Sequence, residues 1–343
     1  MQTKTDRHSG IELLRIISII GVIILHYNNM AASSGELTAW QTSVIKLTES
    51  LFICSVDLFM LISGYFLSES FRRDLLKPME IYLQIVFFSG ASFIYKLIRG
   101  TPFSVKALFV CFVPNNYFAT LYVCVYILSL YVNLIFDKLD RVKLRSFMIT
   151  AVGIFCVFAF CLDLYQDISG NVLSGLNPFG LYGSGKGYTF VSFMLAYCVG
   201  GYIRKTKSDV KTSLLWVVFL SCTSVTFFGY MYVSDVFLEY LSPFILFEAA
   251  CVFMLFLKWD FTSEAVNALA RGCFMAFLFH FPFLGHIGIQ KVISTGNAFL
   301  ILIHQLLSSC AIFLICRIIY SFYALISAPL TGWLKEHSHK ISI

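Results

Sequence analysis

About ten stretches of roughly twenty mostly apolar residues, separated by short polar breaks, leave this chain few ways to fold. They lie near 11–31, 44–67, 79–98, 117–136, 145–164, 188–203, 213–233, 240–257, 272–291 and 298–320. A helix rising ~1.5 Å per residue needs about that many to cross a hydrocarbon core of ~30 Å. The expected fold is therefore all-α, a polytopic integral membrane protein of about ten transmembrane helices. Residues 1–343 read as a single membrane-embedded domain with no fused soluble domain.

Composition narrows the class further. Of 343 residues, 58% are hydrophobic and 13% charged, which excludes an ordinary soluble domain. A net charge of +6 is compatible with nucleic acid or acidic lipid, but the basic residues sit in short loops between apolar runs, where they set orientation. No nucleic-acid partner is expected; the lipid bilayer is. Arg72, Arg73, Lys77, Arg141, Lys143, Arg204, Lys205, Lys258 and most other cations fall on one side. Lys46, Lys96, Arg99, Lys106, Lys186 and Lys291 fall on the other. The positive-inside bias makes the first side cytoplasmic and puts both termini there.

The 11 cysteines are scattered singly through apolar runs without a C-x-x-C pair, so they read as small buried hydrophobes, with no metal site. The amino-terminal run has Lys4 and Arg7 before it and Ala31-Ala32-Ser33 after it, like a signal peptide. Arg15 and His26 inside the run argue against cleavage. The outward segments Ile98 to Asn116 and Gln166 to Gly187 are long enough to be binding loops or plain connectors. No internal repeat of the kind that builds many transporters is visible.

Ionisable residues inside apolar runs are costly, and each is a candidate for function: Arg15, His26, Asp57, Glu80, Glu248, His280 and His304. Arg15 and His26 are eleven positions apart, which brings the helix round to within ~20° of its starting direction and ~16 Å further along the axis, so they share one helix face. Counting from the span edges puts His26, Asp57 and His280 in the middle third of three helices. That arrangement suits a histidine general base oriented by a carboxylate or a second imidazole. The plainer reading is a pair of helices joined by a buried His–Asp hydrogen bond. His304 reads as a packing histidine, and Glu248 has no evident partner. The cluster Arg72, Arg73 and Lys77 is either an ordinary positive-inside loop or a site for a phosphate-bearing cosubstrate. No Walker A loop, dinucleotide glycine pattern, G-x-S-x-G elbow or H-E-x-x-H motif occurs.

The R-x10-H of Arg15 and His26 resembles the signature of membrane acyltransferase family 3, bacterial proteins that O-acylate cell-surface sugars. Val56-Asp57-Leu58 through Ser63-Gly64-Tyr65-Phe66-Leu67 is similar to that family's second-helix pattern. Weaker matches are Pro114-Asn115-Asn116-Tyr117-Phe118 with Leu121-Tyr122, and Leu269-Ala270-Arg271 through Phe277-Leu278-Phe279-His280. The resemblance runs in order along essentially the whole chain. It implies about ten helices in the bacterial cytoplasmic membrane, no bound cofactor, and acetyl-CoA or another acyl-CoA as cosubstrate. The acceptor it implies is a glycan or lipid-linked glycan, usually met across the membrane.

By the same resemblance His26 is the catalytic base and Arg15 positions the donor; Arg15, Arg72, Arg73 and Lys77 would bind the donor's phosphates. Asp57 or His280 would orient His26 or stabilise charge at the thioester, and Ser63, Gly64 and Tyr65 form a structural motif. Many members carry R-x-x-R after the second helix, where this chain has Arg72-Arg73-Asp74 and then Lys77. Some carry a fused domain that completes transfer; this chain is expected to act alone or with a separate envelope-synthesis partner. A carrier of polysaccharide precursors or organic anions is the rival class, and a non-catalytic assembly subunit a third.

Overall fold

A computed structural model describes residues 8–113, 116–176, 187–207 and 209–337. It is 81% helical, with no strand among the described residues. Helices α1 (Ser9–Ser33), α2 (Ala39–Phe52), α3 (Ser55–Leu67), α4 (Leu76–Ile98) and α6 (Tyr117–Lys138) build the first half, with a short α5 (Val105–Val110) between the last two. Then come α7 (Arg141–Val152) and α8 (Ala159–Ser169), joined through a π-helical turn, α9 (Phe190–Thr206), α10 (Thr212–Tyr232) and α11 (Pro243–Leu257). The last part holds α12 (Glu264–Ala270), α13 (Cys273–Leu284), α14 (Ile289–Ile293) and α15 (Ala298–His337).

Eight of these helices or helix pairs are long and apolar enough to cross a membrane, and α12–α13, bent by 58°, makes a ninth if counted as one span. The helix in the short run near 188–203 has 17 residues. The protein is a multi-pass membrane protein, and each of the ten expected runs has a helical counterpart. Edges differ where the chain bends or continues. The run 44–67 begins at Ala39 and breaks at Ile53–Cys54, 272–291 stops at Leu284, and 298–320 continues to His337. Lys4, Arg7, Pro114, Asn115 and the loop segment 177–186 lie outside the described residues.

Local chemistry sets the helix starts. Thr38 and Gln41 form a reciprocal capping box at α2, Thr189 and Ser192 do so at α9, and Asp140, Ser104, Asn116 and Ser263 each accept a backbone N–H at the start of their helices. Pro243 opens α11, where its missing N–H costs nothing.

α1 is the hub. It packs against α2, α3, α11, α12, α13, α14 and α15, whereas α4 fully buries only Ile81 and Ile85 and packs on α5, α13 and α15. Glycine permits the closest approaches. A Cβ on Gly64 would lie 1.9 Å from the Tyr197 carbonyl oxygen, and one on Gly200 would lie 2.0 Å from that of Leu61. Two helices meeting backbone to backbone gain dispersion contacts that hydrocarbon cannot otherwise supply inside a bilayer. Gly21 similarly admits Ser55 and Phe52 where the α2–α3 span breaks.

Candidate active site

Three consecutive residues near the far end of α1 each meet a different neighbour, because successive side chains point ~100° apart. The ring of His26 contacts that of His280 on α13, with centroids 4.9 Å apart. Tyr27 donates its hydroxyl proton to Nδ1 of His304 on α15, at 2.9 Å. Asn28 donates to the Ile45 carbonyl and to Thr48 Oγ1 on α2, and accepts from Gln305 of α15. Tyr27 and Asn28 thereby fix the rotation of α1 and aim His26 at α13.

Hydrogen bonds assign both partner histidines their tautomers. His304 Nε2 lies 3.1 Å from the Ile287 carbonyl, which can only accept, so Nε2 carries the proton and Nδ1 takes the Tyr27 hydroxyl. With both nitrogens used by the fold, His304 is the packing histidine expected of it. His280 Nδ1 lies 2.9 Å from the Ala276 carbonyl and must donate, leaving Nε2 as a bare lone pair. That Nε2 is buried and has no hydrogen-bond partner among the described residues. His26 also makes no hydrogen bond among them; its ring is half-buried and flanked by Phe281, itself 56% exposed, at 5.4 Å. A reachable imidazole beside a second one with a free lone pair can accept a proton from a hydroxyl and hold the resulting charge.

Asp57 is not part of this pair. Gly21 of α1 faces Ser55 of the antiparallel α3, so ~1.5 Å per residue puts Asp57 about 10 Å from the level of His26 along the bundle. The similar depth expected from span edges is lost because the α2–α3 span starts five residues earlier and breaks midway. Asp57 is instead buried within electrostatic reach of Glu248, Cys54, Cys156 and Tyr240. Glu248 gains the partner that the sequence could not supply, accepting from Thr223 Oγ1 at 3.0 Å.

At the other end of α1, Arg15 makes an ion pair with Glu12, Nη1 to Oε1 2.8 Å, with its side chain one-third exposed. The triplet Arg72, Arg73 and Lys77 is split. Arg72 and Lys77 are exposed, while Arg73 is 1% exposed and donates from all three guanidinium nitrogens. Nε bonds the Tyr126 carbonyl, Nη1 those of Ser70 and Arg72, and Nη2 reaches Ser129 Oγ at 2.8 Å. This guanidinium clamps the loop after α3 onto α6 and has little left to offer a ligand. Asn133 completes the clamp, donating to the Leu67 and Ser70 carbonyls and accepting from Tyr197. Ser63 turns its hydroxyl back to the Phe59 carbonyl, Gly64 makes the α3–α9 contact, and Tyr65 lies beneath the guanidinium of Arg204.

The family model for the acyltransferase domain of family 3 matches residues 8–321, nearly the whole chain. The chain belongs to acyltransferase family 3. No curated protein and no solved structure matches it. The matched region of this acyltransferase contains the histidine pair, Arg15 and the Arg73 clamp. Sequence reading passed over Tyr27, Asn28 and Gln305, although a run of His-Tyr-Asn-Asn inside an apolar helix was a signal that this turn has polar partners.

Proposed function

We propose that this acyltransferase moves an acyl group, acetyl in the simplest case, from acyl-CoA to a hydroxyl of a bacterial surface polysaccharide or its lipid-linked precursor. The observation that carries the reading is the contact of His26 with His280, whose tautomer leaves a buried lone pair with no hydrogen-bond partner among the described residues. His26 takes the proton as the acceptor oxygen attacks the thioester carbonyl. The C–S bond of the tetrahedral intermediate then breaks, and the leaving thiolate recovers the proton from the His26 imidazolium. His280 Nε2 accepts the second N–H of His26 during this step, fixing its tautomer and stabilising its charge.

The donor end of the reading rests on Arg15. Its ion pair with Glu12 holds the guanidinium in place while Nε and Nη2 remain for a phosphate, and the ~16 Å from there to His26 suits an extended pantetheine arm. Arg72 and Lys77 are the exposed cations offered to the same donor; Arg73 is left out because the fold uses its nitrogens.

The test is vesicle-reconstituted protein given labelled acetyl-CoA and candidate glycans. His26→Ala is expected to lower label on sugar by about 10²–10⁴, the usual worth of a general base. Arg15→Ala is expected to raise the apparent KM for donor with a smaller effect on kcat. Undiminished transfer by the His26 variant would refute the assignment. Flux of glycan without label would turn the reading towards a carrier.

A further inference from the structure

A second polar site lies at the end of the bundle where α3, α9 and α11 finish, away from the histidine pair. Tyr65, Ile203, Arg204, Lys207, Asp209, Met254, Leu257 and Lys258 surround a cavity of about 280 Å³. Its composition is two-sided. Ile203, Met254 and Leu257, on the last turns of apolar helices, make a hydrocarbon wall, and the cations crown it at the level where those helices end.

The cations are organised by carboxylates from other segments. Arg204 Nε and Nη2 both reach Glu69 Oε2, at 3.1 and 2.8 Å, and Lys258 Nζ reaches Asp209 at 2.5 Å. These pairs tie α9 to the end of α3, and α11 to the α9–α10 loop. Lys207 makes no ion pair among the described residues, so three cations face two carboxylates and one positive charge is left over. A pocket that sets uncompensated positive charge directly above an apolar wall at a helix-end boundary matches the chemistry of one ligand class, a phosphate bearing hydrocarbon chains.

We infer that this pocket binds the headgroup phosphate of an anionic phospholipid, with Lys207 and Lys258 on the phosphate and the acyl chains along Ile203, Met254 and Leu257. A nucleotide phosphate is the poorer fit. A purine would need an open ring face, and the one aromatic ring in the pocket is taken: Arg204 lies over Tyr65 at 5.1 Å, with Phe66 and Phe253 each 5.2 Å from it. The site then anchors the ends of α3 and α9, whose glycine crossing lies within a turn or two of it.

Full-length protein in detergent, titrated with dioleoylphosphatidylglycerol and followed by native mass spectrometry, tests this. A cation near a lipid phosphate is worth about fivefold in affinity. Lys207→Gln, which breaks no ion pair, is expected to weaken binding about fivefold, and Lys207→Gln with Lys258→Gln by at least about 25-fold, because the second change also leaves the Asp209 carboxylate uncompensated beside the phosphate. Dioleoylphosphatidylcholine binding should be unchanged, as should phosphatidylglycerol binding by Arg141→Gln with Arg145→Gln, which removes two exposed charges elsewhere. Wild-type affinity in the Lys207 variant, or an equal loss in the Arg141/Arg145 variant, would overturn the site. Displacement of the lipid by adenosine 3′,5′-bisphosphate would assign the pocket to a nucleotide instead.

Discussion

Gly64→Ala is the smallest substitution that attacks the architecture behind the site. The added Cβ would sit 1.9 Å from the Tyr197 carbonyl oxygen and within 3.0 Å of the Tyr197 Cα. The obstacle is backbone on a facing helix, so no rotamer change relieves it. Restoring an ordinary carbon–oxygen contact of about 3.2 Å requires α3 and α9 to part by roughly 1.3 Å, and Gly200 opposite Leu61 would lose its close contact in the same movement. Overpacking of this kind costs about 1–3 kcal/mol or more. At about 2–4 °C per kcal/mol for larger domains, the thermal midpoint in detergent should fall by several degrees. Gly90→Ala on α4 is the control. It meets nothing within 4 Å, and replacing a mid-helix glycine by alanine is worth about 0.5–1 kcal/mol in favour of the helix. Tryptophan fluorescence during heating measures both. If Gly64→Ala melts with the wild type, or falls no further than Gly90→Ala, the backbone contact between α3 and α9 is not what the structure makes it.

Three further outcomes follow from particular contacts. Arg73→Ala should lower the thermal midpoint and the yield of folded protein, because it strands the Ser129 hydroxyl and loop carbonyls in a buried position; preserved stability with a raised donor KM would return Arg73 to a donor site. Tyr27→Phe leaves Nδ1 of His304 without its donor and should cost about 1–3 kcal/mol in the same melting assay, with transfer by the surviving fold also reduced because α1 is freer to rotate. Arg204, hydrogen-bonded to Glu69, holds that exposed carboxyl below the usual range. The folded state therefore binds the proton less readily than the unfolded one, and the pair's contribution is present above pH ~4.3 and lost as pH falls through the lowered value. For an exposed pair the effect stays below about 1 kcal/mol, so Glu69→Gln should lower the midpoint slightly at pH 7 and not at pH 3.

Much of this protein was determined by its residues in order, without reference to their neighbours in space. Runs of twenty apolar residues can satisfy their backbone groups in hydrocarbon only as helices, which settles the class and nearly all the spans. The eleven-residue spacing of Arg15 and His26 places them on one face because a single helix repeats predictably. Contacts between helices obey no such local rule, and these were decided by the tertiary structure. His280 meets His26, but Asp57 does not, because the break at Ile53–Cys54 and the packing of Gly21 on Ser55 set the register between α1 and α3. Arg72 and Arg73 are adjacent in the chain, yet one is exposed and the other is enclosed by Tyr126 and Ser129 from some fifty residues further on. Linear order records which groups need a partner; only the folded bundle, where each helix sets its rotation and depth against several others at once, decides which partner each one receives.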